Sequence, residues 1–177
     1  FIFTFLCFFV LYFKTYKELK KQEKIFLAEY EQLPTKEVEI EKLLITHGHV
    51  DHAAGTAELR DKLNVPVEGP HRDDAFWINQ LPEDSVEWGF PRAESFTPNR
   101  WLINGDQVTV GDITLDVYHC PGHTPGHVIF YEPETNIAFV GDVLFRGSIG
   151  RTDFPRGNHA NLIASITGKL WPLGDVT

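Results

Sequence analysis

Four potential metal ligands fall within six residues in His47-Gly48-His49-Val50-Asp51-His52. Imidazole nitrogen and carboxylate oxygen are the donors that borderline divalent cations such as zinc accept. In extended backbone, residues i and i+2 project to the same side, so His47 and His49 can hold one ion together. Asp51 and His52 lie one turn on and can point at a second ion. Gly48 and Gly55 supply the backbone freedom that a tight wrap needs.

Two later segments offer further donors. His119-Cys120-Pro121-Gly122-His123-Thr124-Pro125-Gly126-His127 contains two Pro-Gly steps that force turns and can hold an imidazole rigidly, so one of its three histidines is expected to be a ligand. Gly141-Asp142 ends an apolar run with a carboxylate able to bridge two cations, although Asp after Gly is also an ordinary turn residue. A serine or cysteine nucleophile has less support: no GxSxG occurs, and Cys120 precedes a Pro-Gly turn with no helix N-terminus to depress its pKa. Cys120 reads as structural.

The elements that must position these donors are legible from residue 37 onward. Residues 42–46 read as a buried strand, 54–63 as a helix, 65–67 as a short strand and 71–81 as an amphipathic helix, with a long loop over 82–100. Residues 107–110, 113–118, 127–131 and 136–140 are β-branched or aromatic runs with turns at Gly111-Asp112 and Glu132-Pro133. They predict an antiparallel meander. Residues 158–170 predict a last helix with Asn158 or Asn161 as its N-cap. Short strands alternating with helices make this an α/β domain.

Composition narrows the function classes. The 177 residues carry 16 Lys plus Arg against 25 Asp plus Glu, a net charge of -9. An acidic chain has no electrostatic footprint for a phosphate backbone, so nucleic acid is not an expected partner. Residues 1–42 hold equal numbers of Lys and Glu, so the whole deficit lies in the part that carries the eight histidines, which suits a cation.

The first 36 residues read as a leader distinct from the domain at 37–177. The apolar run at 1–13 is shorter than the roughly 20 residues a spanning helix needs. Lys14, Lys17, Lys20, Lys21 and Lys24 follow the run, whereas a signal peptide places its positive charge before it. The leader reads as a non-native or misassembled segment, the tail of a truncated anchor, or a buried core helix or strand, followed by a charged helix over 14–33. Cys7 reads as a small hydrophobe, and two cysteines form no framework of bridges. The expected location is cytoplasmic, with a membrane-anchored form facing the cytoplasm as the alternative if the leader is a genuine anchor.

Together, THGHVDH, PGHT and GD resemble the metallo-β-lactamase superfamily. HCPGHTPGHV, GDVLF and GRTDFPRG look like the compact glyoxalase II-like (hydroxyacylglutathione hydrolase-like) hydrolases of bacteria, over residues 37–177. The resemblance implies an α/β fold of the αββα sandwich type. It implies that His47, His49 and His123 hold a first zinc, that Asp51 and His52 hold a second, and that Asp142 bridges both, with Asp51 and Asp142 serving catalysis. His119 and His127 match no ligand position and read as the end and start of strands; His71 and His159 are unassigned. Arg151 stands where glyoxalase II-like enzymes place a basic residue for the glutathione moiety, and pairing with Asp153 is the equal alternative.

The resemblance also implies a domain incomplete at both ends: the opening strands before THGHVDH and a final His beyond Thr177 are missing. Two zincs are then expected in the complete domain and one in this chain, with iron or manganese as alternative metals. A zinc-bound water has its pKa lowered to about 7, giving a hydroxide nucleophile. A thiolate leaving group, with a pKa of about 8.5, departs without a general acid. The implied activity is hydrolysis of a small thioester such as a glutathione conjugate. An iron-dependent persulfide dioxygenase and an inactive metal-binding fragment are the alternatives, and a β-lactamase is disfavoured because the bridging position holds Asp142 instead of a cysteine.

Overall fold

The computed structural model describes residues 39–177. The apolar run at 1–13, the charged helix expected over 14–33 and the boundary after residue 36 lie outside the described residues. Among the described residues, no helix is long and apolar enough to cross a membrane.

The chain enters through β1 (Leu43–Leu44), two short helices α1 (Val50–Ala53) and α2 (Thr56–Leu63), and β2 (Val67–Glu68). β1 and β2 pair in parallel, with Leu43 opposite Val67. The helix expected over 54–63 begins only at Thr56, after Gly55, and a separate short helix before it, Val50–Ala53, takes in Asp51 and His52. The strand expected over 42–46 is ladder-paired only at its centre, because its last residues turn toward the donor loop. The strand expected over 65–67 begins only at Val67.

A 3-10 turn (Arg72–Asp74) leads into α3 (Ala75–Glu87). The loop expected from Pro82 starts instead after Glu87, with Pro82 inside the helix. The apolar stripe explains this: Ile78 and Leu81 are fully buried ahead of the proline and Ser85 is fully buried after it, so tertiary packing outweighs the missing N–H. The Ser85 hydroxyl donates to the Pro82 carbonyl at 3.2 Å and accepts the Ala93 N–H at 2.9 Å. The helix then stops in a Schellman arrangement: Phe90 N–H bonds the Ser85 carbonyl, Gly89 N–H bonds that of Val86, and Gly89 takes a left-handed φ of 78°.

β3 (Gln107–Val110), β4 (Ile113–His119), β5 (Val128–Glu132) and β6 (Ile137–Phe139) form one antiparallel sheet in sequence order, the predicted meander. A small hairpin follows, β7 (Leu144–Phe145) with β8 (Ser148–Ile149). The last helix, α4 (His159–Ser165), starts at Asn158, whose side chain accepts the Asn161 N–H, and widens over Ile166–Leu170 into a π turn.

Alternation of side chains sets the layers. Leu43 and Ile45 face Ala53, Ala57, Ile78 and Leu81, whereas Leu44 between them faces Val108, Leu115, Val117 and Phe130. On β5, Val128 and Phe130 join that inner layer while Ile129 points out to Leu162, Ile166 and Leu170. The order is therefore α1–α3, the β1–β2 pair, the four-stranded sheet, then α4. Val128 N–H bonds the Thr46 carbonyl at 2.8 Å, tying the end of the first layer to β5 where the donor loop departs.

Candidate metal centre

Three loops that leave the sheets at one edge bring the donors together. His49 has extended backbone (φ -68°, ψ 153°), so His47 and His49 project to one side before α1 begins. Potential ligand atoms of His47, His49 and His123 lie within 4.8 Å of one another, and so do those of His47, His52 and Asp142. His47 belongs to both groups. Asp51 Oδ2 stands 3.6 Å from His52 Nε2 but joins neither group.

Hydrogen bonds fix which nitrogens face the site. The Arg151 carbonyl can only accept, so at 2.7 Å it places the proton on His123 Nδ1 and leaves the Nε2 lone pair inward. Nε2 lies 2.9 Å from His49 Nδ1 and 3.4 Å from Asp142 Oδ2. Two ring nitrogens that close share one proton, and a cation replaces it with a small opening toward the ligand spacing of tetrahedral zinc, about 3.3 Å. His47 Nδ1 lies 3.1 Å from the Thr46 hydroxyl, while its Nε2 is buried with no partner, as is His49 Nε2. Buried, unpartnered imidazole nitrogens cost stability; an ion set among His47, His49 Nδ1 and His123 Nε2 would give His47 Nε2 a partner. The residues fit a metal.

Electrostatics agree. Burial, reinforced by mutual repulsion, pushes His47 well below the ordinary imidazole value and His49 down to about 3, so both are neutral at physiological pH, the form in which an imidazole can bind a metal. Burial also lowers His123. For His52 burial is outweighed by the bond to Asp142 (3.2 Å) and the charges of Asp51 and Asp142, which raise it. Burial would raise Asp142, but His52 and the other imidazoles hold it below the usual carboxylate range. An anionic carboxylate thus spans the two donor groups.

Two residues that the sequence reading left without a role support the site. His127 stacks on His47 at 4.6 Å, and its Nε2 accepts the Asp142 N–H at 3.1 Å, so it aims the carboxylate. Gly141 sits at φ 48°, and a Cβ there would meet His127 Nε2 at 2.7 Å, which explains the glycine before Asp142. Asp74 is fully buried and accepts from Gly48 N–H (3.0 Å), Thr124 Oγ1 (2.8 Å) and Gly126 N–H (2.6 Å), joining the His47/His49 loop to the His123 loop. Its sequence signal, an Asp at a helix start, is that of any cap.

Trp77 and Phe154 pack edge-on against His49, at 4.5 and 4.8 Å, and wall one side. Arg151 makes a two-point bond with Asp153, 2.6 Å at each contact, and lies 4.2 Å from the Phe154 ring centre. Of the two readings of Arg151, pairing with Asp153 is the arrangement present. Cys120 is fully buried, and burial pushes its thiol up to about 12.

The sequence matches the metallo-beta-lactamase superfamily over residues 19–175. The chain belongs to that superfamily. It is 43% identical over 140 residues to hydroxyacylglutathione hydrolase GloC of Haemophilus influenzae, covering 78% of this chain and 66% of that protein. The chain thus spans slightly under two thirds of that relative's length. Among solved structures, it is similar to the BLEG-1 B3 metallo-beta-lactamase (TM-score 0.73, 35% identity, covering 87% of this chain and 72% of that one). It is also similar to TTHA1623, solved in a di-iron-bound form (TM-score 0.72, 34% identity, 84% and 71%). The described residues share the metallo-beta-lactamase fold of these two solved structures.

Proposed function

We propose that this chain carries the metal centre of a glyoxalase II-like hydrolase acting on a small thioester such as an acylated glutathione. The observation that supports it is the convergence of His47, His49, His123 and Asp142 at one sheet edge, in a chain 43% identical to a hydroxyacylglutathione hydrolase. His47, His49 and His123 would hold one ion. His52 and Asp142 would hold a second, with Asp51 beside them. The bound cation, zinc by donor chemistry with iron or manganese as alternatives, supplies Lewis acidity and acidifies a coordinated water to a pKa of about 7.

The chain's own residues do the rest. Thr46 and the Arg151 carbonyl hold two imidazoles in orientation, and His127 holds the Asp142 backbone. Trp77 and Phe154 exclude water from one flank of the site, which strengthens the electrostatics within it. The leaving thiolate needs no general acid. Arg151 would meet an anionic end of the substrate, in exchange for or together with Asp153.

The test is loss of thioester from S-lactoylglutathione, with the purified 177-residue protein loaded with zinc, iron or manganese in parallel. Turnover that chelation and His49→Ala both abolish supports the reading. A second reading, β-lactam hydrolysis, is favoured by the similarity to BLEG-1. Nitrocefin turnover without thioester turnover would establish it instead. Oxygen uptake with glutathione persulfide, again without thioester turnover, would point to a dioxygenase.

A further inference from the structure

Trp77 and Phe154, which wall the histidine cluster, belong to a longer row of ring contacts that leads away from His49. Phe76 at the start of α3 lies 4.9 Å from Trp77, and exposed Trp88 lies 6.3 Å from Phe154. Two guanidinium groups sit on this row. Arg151 lies over Phe154, and Arg156 lies over Phe76 with its central carbon 4.1 Å from the ring centre. Both come from the stretch 143–158, which carries three Arg and one Asp in an otherwise acidic chain.

The backbone singles out Arg156. Gly157 N–H bonds the Phe154 carbonyl at 2.8 Å and closes a four-residue turn with Pro155 second and Arg156 third. Arg156 takes φ 63°, the left-handed region, where such a turn ordinarily carries glycine or asparagine. A long side chain there strains the backbone, and strain of this kind gathers at ligand sites. The turn has no room to shift, since a Cβ on Gly157 would meet the Thr152 carbonyl oxygen at 2.4 Å. The fold gains little in return. Arg156 is exposed, so its stack on Phe76 is of the weak kind, and among the described residues it makes no ion pair. Arg151, by contrast, is paired with Asp153. A guanidinium laid over a ring keeps its N–H edges available to an anion.

We propose that Arg156, held over Phe76, is a specificity-determining residue that receives a carboxylate of the thiol half of the substrate, so that the chain selects esters of a thiol bearing two carboxylates. The inference rests on the thioester reading above. Arg151 takes one carboxylate and Arg156 the other, and the rings of Phe154, Trp77 and Phe76 link the two. Each guanidinium can meet its carboxylate through two parallel N–H···O bonds. Glutathione, a tripeptide with a carboxylate at each end, has this pattern of charge. An uncharged thiol leaves Arg156 without a partner.

The experiment compares Arg156→Gln and Arg156→Gly with the unmodified chain, all loaded with zinc. Calorimetric titration with S-methylglutathione, which has no ester to hydrolyse, reads binding apart from turnover. Both substitutions should raise its Kd about tenfold or more, as loss of a charge-assisted bond does. In turnover the loss should fall on KM rather than kcat, because the contact is made equally in the ground and transition states. The preference in kcat/KM for S-lactoylglutathione over the uncharged S-lactoyl-N-acetylcysteamine should drop by the same factor. Arg156→Gly, which suits the turn, should keep a cooperative melt near that of the unmodified chain. Binding of S-methylglutathione that depends on Arg156, with no thioester hydrolysed by any variant, would sink the hydrolase reading while upholding this contact. A Kd unchanged by both substitutions, or no binding by the unmodified chain, would overturn the proposal. So would weaker binding that comes only with a lowered melting temperature in both variants, which would assign Arg156 to the fold.

Discussion

The backbone N–H of Gly48 donates to Asp74 Oδ2 at 3.0 Å, so the residue between His47 and His49 is fastened to the start of α3. The other Asp74 oxygen holds Gly126 N–H at 2.6 Å, and Thr124 Oγ1 completes the set. Both donor loops therefore hang on one buried carboxylate.

Asp74→Ala leaves two amides and a hydroxyl buried without an acceptor. At about 1–3 kcal/mol for each unsatisfied group, the loss should be about 3 kcal/mol or more. Denaturant unfolding should show the drop, and zinc retention should fall with it. A variant with an unchanged midpoint and full metal content would mean that water replaces the carboxylate.

His127→Ala removes the acceptor for the Asp142 N–H and the ring that stacks on His47. Outer partners of metal ligands are typically worth 10- to 100-fold in affinity. Competition with a chromogenic chelator should show the zinc dissociation constant rising by that factor in a protein that still melts cooperatively. Equal affinity would remove His127 from the site's support.

The metal-free protein should lose stability on acidification. His47, His49, His123 and His127 are all held below the imidazole value by burial, so between about pH 4 and 6.5 the unfolded chain binds protons that the folded chain does not. Stability then rises with pH through that window and is complete above it, with a slope on the order of 1.4 kcal/mol per pH unit for each proton of difference. Asp74, raised by burial to about 6, has the opposite sign over about pH 4 to 6, and the raised His52 opposes only above the imidazole value. Four imidazoles outweigh them. Chemical denaturation at pH 5 and 7.5 checks this, and greater stability at pH 5 would contradict it.

Cys120 is fully buried, and its thiol is pushed up to about 12 by that burial. In a Cys7→Ser background it should resist a disulfide-exchange reagent until the protein is unfolded. Reaction at the rate of a free thiol in the native protein would show that the α4 layer opens readily.

Most of the donor set was legible because ligand spacing is local. HxHxDH needs only the alternation of an extended strand and the start of a helix to divide its donors, and both occur at His49 and Val50. The meander was legible because 113–118 alternates, 127–131 is a β-branched and aromatic run, and the turns between the strands carry Gly and Pro. What was not legible depends on contacts far apart in sequence. Pro82 stays in α3 because of the Ile78, Leu81 and Ser85 face, and Asp74 matters because residues 26 and 52 positions away donate to it. His127 looked like the first residue of a strand. Its role follows from the return of residue 142 to its ring.

On the proposed function, His47, His49, His123 and Asp142 form a metal centre on which thioester hydrolysis depends. The direct measurement is a titration of chelator-stripped protein with zinc, recording bound metal and S-lactoylglutathione turnover on the same samples, for the unmodified chain and for His49→Ala. Turnover should rise in proportion to bound metal, and His49→Ala should lose both. Thioester turnover in the stripped protein, or a fully loaded protein with none, would rule out that dependence.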